Sequence, residues 1–147
     1  MSLKAKLQQD LKEALRRRDE VRKRVLRMAL TAIKNAEVEA RGELTDEQVL
    51  TLLQKEAKKR EETLEALAGA DRPDLVAQER AELEVLRSYL PRQLSREEIE
   101  AAAREVIAQV GASGPRDIGK VMKPLMAQLR GRADGRLVNQ IVRELLG

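Results

Sequence analysis

The chain has 147 residues, enough for one domain or two small ones, and a net charge of +4. Hydrophobic residues make up 42%, charged residues 37% and aromatic residues 1%, and this composition favours helices throughout. Cysteine and histidine are absent, which excludes disulfides, thiol nucleophiles and Cys/His metal sites and removes the commonest general base. No apolar run reaches the roughly 18 residues of a membrane span. We expect a soluble, cytoplasmic protein with no cofactor or metal.

Charge is distributed in three blocks along the chain. Residues 1–36 carry eleven Lys and Arg against four acids, residues 43–86 carry six against twelve, and residues 113–143 carry seven against two. Basic and acidic blocks can pair with each other inside a fold, so a basic block need not be free to bind a partner.

The first ninety residues predict an amino-terminal domain of long helices. Ser2 and Asp19 are N-cap residues, and the helix after Asp19 has an apolar side broad enough for more than one neighbour. Gly42 is expected to end that helix as a left-handed stop. Thr45 opens a capping box before a long polar helix, and Pro73 opens a fourth helix.

A domain boundary is predicted at the hinge-like segment 89–94, which separates residues 1–90 from residues 91–147. Ser95 and Glu98 form a second capping box, and the helix that follows ends at Gly111. No segment predicts a strand. The fold class is therefore all-α, with an amino-terminal helical domain and a small carboxyl-terminal three-helix domain.

The last two predicted helices form a hairpin around a glycine-rich corner, residues 130–135. Both helices carry an apolar stripe with a period of 3.6 residues, so they should fold back and bury each other. The stripes comprise Ile118, Val121, Met122, Leu125, Met126 and Leu129 in the first helix, and Leu137, Val138, Ile141, Val142, Leu145 and Leu146 in the second. Pro124 lies inside the first helix and should kink its axis.

The polar side of this hairpin is basic. Four of its cations are spaced to line one side of the first helix, and the others lie in the corner and on the second helix. Such a surplus favours an anionic partner, nucleic acid before others, although a solvated basic face is the alternative. The candidate binding residues are Arg116, Lys120, Lys123, Arg130, Arg132, Arg136, Asn139 and Arg143.

Glycines and acids in the hairpin have structural explanations that compete with functional ones. Gly131 and Gly135 suit a tight interhelical turn, although a following helix can also present N–H groups to phosphate. Gly119 lies in a helix interior, where glycine costs about 1 kcal/mol relative to alanine. Close packing of a neighbouring helix is the expected explanation, and approach of a ligand is the alternative. Asp117 and Asp134 are expected to stabilise helix starts.

Nothing in the sequence predicts a catalytic residue. The serines stand without a histidine base, and the carboxylate pairs lie in polar helix surface or first helical turns. With no Phe or Trp and a single Tyr, stacking on splayed bases is largely excluded. Nucleic acid would have to be held by phosphate contacts and overall shape, which suits a folded RNA such as tRNA.

Three stretches of this sequence resemble the GatB/YqeY family. Residues 111–123, with Gly131-Arg-Ala-Asp-Gly135 and Val138-Asn139, are similar to its carboxyl-terminal signature. Residues 24–37 resemble the amino-terminal half of the YqeY-like members, and residues 89–94 resemble their hinge. The resemblance covers essentially the whole chain in the expected order.

The resemblance implies a two-domain helical protein with tRNA as its partner. In this family the carboxyl-terminal unit is similar to the tail domain of the B subunit of tRNA-dependent Asp/Glu-tRNA amidotransferase, and to a domain of some glutaminyl-tRNA synthetases. The tail helps to hold tRNA, and the chemistry lies in other domains. It therefore implies no active amidotransferase in this chain, and a carbon–nitrogen ligase label with glutamine as amido-nitrogen donor would be inherited from the larger enzyme.

Three functions remain open at this stage. The first is a non-catalytic tRNA-binding module, working with an amidotransferase or an aminoacyl-tRNA synthetase. The second is a protein–protein adaptor for a translation enzyme, docking through the polar helix of residues 45–67 or through the basic hairpin. The third is an intrinsic amide-transferring ligase activity, which we do not expect.

Overall fold

The computed structural model describes all 147 residues and contains seven α-helices and no strand, so the predicted all-α class is confirmed. A short 3₁₀ turn, Pro115–Asp117, precedes the sixth helix. The helices are α1 Leu3–Arg17, α2 Glu20–Ala40, α3 Asp46–Leu67, α4 Pro73–Arg87, α5 Arg96–Val110, α6 Ile118–Leu129 and α7 Gly135–Leu146.

The chain divides into two compact units, Met1–Leu90 and Pro91–Gly147. Each unit has its own cluster of buried apolar side chains, the first built from α1 to α4 and the second from α5 to α7. That each unit folds as an independent domain stays a prediction.

The predicted helix starts are confirmed. The side chains of Ser2 and Asp19 accept hydrogen bonds from the first turns of α1 and α2. Both halves of each predicted capping box are formed, at Thr45 before α3 and at Ser95 before α5. Pro73 is the first residue of α4, where its missing N–H has no helical partner to lose.

The helix ends differ from the prediction at one position. Gly111 ends α5 in the left-handed conformation, with φ of 69°, as expected. At the end of α2, however, Arg41 adopts that conformation with φ of 56°, and its N–H donates to the carbonyls of Glu37 and Val38. The prediction of Gly42 as the left-handed stop is therefore wrong by one residue, because an arginine occupies the conformation that glycine usually supplies.

The second helix is the centre of the first unit. It packs against α1, α3 and α4, which confirms the prediction that its broad apolar side meets more than one neighbour. Its residues Val25, Leu26, Ala29 and Ile33 are all buried.

A charged residue, Glu82, is buried within this unit. Its carboxylate accepts a hydrogen bond from Arg24 Nε at 2.8 Å and lies 3.5 Å from Arg60 Nε. The Arg60 guanidinium also donates to the sulfur of Met28 at 2.9 Å and lies 3.5 Å from a carboxylate oxygen of Glu56. The acidic and basic blocks therefore do pair inside the fold, through side chains of α2, α3 and α4.

The single tyrosine fixes the last turn of the first unit. The Tyr89 hydroxyl donates to Asp10 at 2.5 Å and accepts from Arg22 at 3.2 Å, so it joins α1 and α2 to the end of α4. Burial, followed by the hydrogen bond to Asp10, raises the pKa of Tyr89. Its ring packs against the core of the first unit.

The second unit is a three-helix arrangement in which α5, α6 and α7 all contact one another. Both predicted apolar stripes of the hairpin lie in its core, with the central residues Val121, Leu125, Val138 and Ile141 completely buried. The sixth helix runs unbroken through Pro124. No helix in either unit is both long enough and apolar enough to cross a lipid bilayer.

Candidate nucleic-acid interface

The candidate cations of the hairpin all face solvent. The seven Lys and Arg side chains belong to exposed residues, and Asn139 is half-buried. These residues and Asn139 are together called here the hairpin surface, which comprises Arg116, Lys120, Lys123, Arg130, Arg132, Arg136, Asn139 and Arg143.

Only one of these cations forms an ion pair. Lys120 lies 3.5 Å from a carboxylate oxygen of Asp117. The guanidinium of Arg132 donates to the carbonyl of Gln128 at 2.9 Å, so it provides a hydrogen-bond partner for a carbonyl in the last turn of α6. Three other acids of the second unit are engaged elsewhere, since Arg92 pairs with Glu98, and Arg96 pairs with Glu100 and Glu144. The hairpin surface is therefore left with a strong excess of positive charge.

The spacing predicted for the first helix needs correction. Lys120 and Lys123 lie on α6, but Arg116 belongs to the preceding 3₁₀ turn and Arg130 follows the last helical residue. The four do not form one continuous helical row, because α6 contains only Lys120 and Lys123. On α7, Arg136 and Arg143 are seven residues apart, which places them on the same face two turns from each other.

The corner between α6 and α7 is held by backbone hydrogen bonds. Gly131 adopts φ of 80°, a conformation that favours glycine. The carbonyl of Arg132 accepts a hydrogen bond from the N–H of Leu94 at 2.8 Å, and the side chain of Gln93 donates to the carbonyl of Gly131 at 3.2 Å. These bonds fix the backbone that carries Arg132, so its position is set by the segment that leads into α5.

Gly119 is not explained by packing. The residue is exposed, and a Cβ atom added to it would meet nothing within 4 Å. The expectation that a neighbouring helix needs the space is therefore wrong. Gly135, at the start of α7, would bring its Cβ to 3.7 Å from the Met126 side chain, an ordinary contact. An open glycine beside Lys120 leaves backbone available to a ligand.

The two acids of the hairpin have different roles. Asp134 caps α7 by accepting from the N–H of Arg136 at 3.0 Å, as predicted. Asp117 is the residue before α6 and makes no side-chain capping hydrogen bond to it, so the prediction that it stabilises the helix start rests on its charge at that position alone. It accepts instead from the N–H of Ser113 at 2.9 Å, and this bond, followed by the charge of Lys120, lowers the pKa of Asp117.

The hairpin surface has the chemistry of an anion-binding site, and the chain has no cluster of acids suited to binding a metal ion. No cluster of three or more acidic side chains is placed to hold a metal ion. Exposed guanidinium and ammonium groups form charge-assisted hydrogen bonds with phosphate oxygens, and arginine can do so with two parallel bonds. The hairpin surface is therefore suited to a phosphate backbone.

A separate groove lies between α3 and α4 in the first unit. It has a volume of about 430 Å³ and combines leucine side chains with two arginines and two glutamates, of which Arg87 and Glu61 pair at 3.0 Å. Its lining residues are Glu61, Leu64, Arg80, Leu83, Glu84 and Arg87. Sequence analysis did not identify this groove, because its residues come together only when α3 packs on α4.

The sequence of this chain matches a model of a known protein family. A family model described as Yqey-like protein matches residues 4–146. The chain belongs to the Yqey-like protein family. The family resemblance noted from the carboxyl-terminal motif and the hinge is thereby confirmed.

Curated relatives of this Yqey-like protein include fungal proteins named "Altered inheritance of mitochondria protein 41, mitochondrial". The protein of Pyrenophora tritici-repentis is 32% identical over 97% of this chain and 80% of its own length. The protein of Lachancea thermotolerans is 34% identical over 76% of this chain and 61% of its own length. A Saccharomyces cerevisiae relative is 28% identical over 96% of this chain and 66% of its own length. The chain therefore spans less than two thirds of the two yeast relatives.

These names correct one expectation. They describe the relatives as mitochondrial, which contradicts the cytoplasmic location that we expected from the sequence. The expectation rested on the absence of cysteine and of a long apolar run, and neither feature distinguishes the cytoplasm from the interior of an organelle.

Proposed function

We propose that this Yqey-like protein is a non-catalytic RNA-binding module that holds a folded RNA, with tRNA as the preferred class, on its hairpin surface. Binding occurs through phosphates and overall shape, and bases are not read by stacking. The proposal depends on one observation above all: seven exposed Lys and Arg residues lie on or beside the α6–α7 hairpin, and only Lys120 among them forms an ion pair.

Two further features support RNA as the anion. The corner carrying Arg132 is fixed by the hydrogen bonds from Leu94 and Gln93, so part of the surface is organised before a ligand arrives. Less ordering on binding means that more of the contact energy contributes to affinity. Gly119 adds open backbone beside the cations, which allows a bulky ribose-phosphate chain to approach closely.

The resemblance to the amidotransferase tail supports tRNA over other folded RNA. It also supports a translation enzyme as a working partner, either an amidotransferase or an aminoacyl-tRNA synthetase. Mitochondria contain their own RNA, so the proposed function is compatible with the location given in the relatives' names.

Titration of the intact protein with unmodified tRNA tests this function. We expect the logarithm of the association constant to fall linearly with the logarithm of the salt concentration, with a slope of about −0.7 to −0.9 for each phosphate contacted. Five or so contacts would give a slope of about −4. Absence of binding at low salt would overturn the proposal.

A pair of variants locates the contact. Lys123→Gln combined with Arg136→Gln removes two exposed cations that form no ion pair, and it should weaken binding several-fold and make the slope less steep by about 2. The matched control is Lys55→Gln combined with Lys58→Gln, which removes the same charge from exposed positions of α3. Equal losses in both variants would assign the effect to net charge and remove the hairpin surface from the proposal.

A further inference from the structure

The outer face of α2 carries a second row of cations. Arg27, Lys34 and Arg41 are exposed and form no ion pair with any carboxylate. Arg27 and Lys34 are seven residues apart, so they lie on one side of the helix about 10.5 Å from each other, and Arg41 follows the last helical residue as the C-cap. Thr31 and Asn35 are exposed beside them. These five residues are called here the α2 surface.

The acidic side chains of α2 are paired with lysines or lie off this row, and Glu20, seven residues before Arg27, is the one that falls in line with it. The Glu37 carboxylate is bound by Lys4 at 2.7 Å and by the N–H of Leu44 at 3.1 Å, and its side chain is only 15% exposed. Glu20, at the start of the helix, pairs with Lys23 at 2.7 Å. Glu39 is exposed but follows Lys34 by five residues, about 140° around the helix.

Folding does not account for the cations of the α2 surface. The neighbouring Arg24 has a structural role, because it compensates the buried carboxylate of Glu82. Arg27 and Lys34 have no such partner, and the core-facing side of α2 is formed by other residues. The exposed lysines of α3 differ, since Lys55 and Lys58 belong to a helix whose outer positions are rich in glutamate.

We propose that the α2 surface is a second phosphate-binding surface, and that it contacts the same folded RNA as the hairpin surface. This inference rests on the proposed function. Hydroxyl and amide side chains between cations are typical of contacts to phosphate and sugar, and Thr31 and Asn35 supply them. Two surfaces on one chain raise the affinity for a single large polyanion, because binding at one raises the local concentration of the other.

An anionic membrane is a poorer match to this helix. A helix that lies in a membrane interface inserts an apolar face, but the apolar face of α2 is buried in the first unit. Val38, 71% exposed, is the one large apolar side chain that α2 leaves strongly exposed. The chemistry of the surface therefore favours phosphates in a polymer over a lipid surface.

The test measures tRNA affinity of the intact protein at several salt concentrations for three double variants. Arg27→Gln with Lys34→Gln alters the α2 surface, Lys123→Gln with Arg136→Gln alters the hairpin surface, and the α3 double variant Lys55→Gln with Lys58→Gln is the control. All three remove two charges at exposed helix positions, and helical circular dichroism and thermal unfolding establish that each variant is folded. We expect the α2 variant to weaken binding several-fold relative to the control and to make the salt slope less steep by about 2.

The outcomes separate this inference from the proposed function. If the α2 variant matches the control while the hairpin variant is weakened, the second surface is overturned and the proposed function stands. If the α2 variant alone is weakened, RNA binding by the α2 surface stands, and the hairpin surface and the contact shared between the two surfaces are overturned. If the unaltered protein fails to bind tRNA at low salt, both fall. Binding of the same variants to phosphatidylserine vesicles is measured in parallel. If the α2 cations are needed for vesicle binding and not for tRNA binding, the RNA assignment is overturned in favour of a membrane.

Discussion

At the scale of single residues, Glu82 has the most demanding environment in the protein. A carboxylate removed from water is costly unless it is paired and hydrogen-bonded. Arg24 meets this need with a 2.8 Å hydrogen bond, and Arg60 contributes its charge at 3.5 Å without the geometry of a hydrogen bond. The Arg60 side chain is itself only 15% exposed, so each ion depends on the other.

Replacing Glu82 with glutamine should destabilise the first unit by about 3 kcal/mol, because it leaves the buried charge of Arg60 without its partner on α4. Urea unfolding followed by circular dichroism measures the change. Glu84→Gln is a suitable control, since Glu84 is exposed on the same helix and a surface substitution there should change the free energy of unfolding by less than about 0.5 kcal/mol. Equal effects of the two substitutions would contradict a structural role for the cluster.

The burial of Glu82 could have been predicted from its place in the sequence, but a charged residue is usually expected to be exposed. Val85 and Leu86 follow it at three and four residues, so it lies within the apolar stripe of α4. A glutamate in that stripe predicts a cationic partner in the interior, and the arginines of α2 and α3 are the candidates for it. The identity of the partners depends on how three helices pack, and spacing along one helix does not determine it.

At the scale of elements, the capping residues and apolar stripes were predicted well because they act within one helix or between adjacent ones. Gly119 was misinterpreted because its explanation depends on what lies outside its own helix. Arg116 and Arg130 were wrongly grouped with the cations of α6, since the spacing of charged residues does not show where a helix begins and ends.

Gly119→Ala separates folding from binding. Because an added Cβ meets nothing within 4 Å and alanine favours helix, the substitution should stabilise the second unit by about 0.5 kcal/mol. If the open backbone serves a ligand, the same substitution should weaken tRNA binding. Thermal unfolding and tRNA titration of one preparation measure the two effects.

Gly119→Ser is a second variant for this test. It adds a side chain to the same position, but its hydroxyl can donate a hydrogen bond to phosphate. Weaker binding by the alanine variant with recovery in the serine variant would indicate a direct contact. Unchanged binding in both would show that the ligand does not approach this part of α6.

At the scale of the whole molecule, the two compact units each contain their own buried core. We expect a fragment of residues 91–147 to fold on its own, although a unit of this size is close to the lower limit for independent folding. Circular dichroism should show a helical fragment with cooperative urea unfolding. A fragment without helical signal, or one that unfolds without a transition, would show that the second unit needs the first.

The biological setting was the part that the sequence determined least. Composition restricted the protein to helices and left few catalytic options, but the cytoplasmic prediction was contradicted by the relatives' names. Location depends on targeting and organism, whereas helix patterns depend on local physical chemistry. The hairpin surface could be predicted from charge spacing, while its freedom from counter-carboxylates depended on where the acids of α5 and α7 found partners.

The bond from Leu94 to the carbonyl of Arg132 has a mechanical consequence. Arg132 stands at the tip of the α6–α7 turn, and the chain enters α5 immediately after Leu94. A bound polymer that pulls on this arginine transmits part of the load directly to residue 94, bypassing two whole helices. We therefore expect the α6–α7 turn and the segment before α5 to unfold together under an applied force.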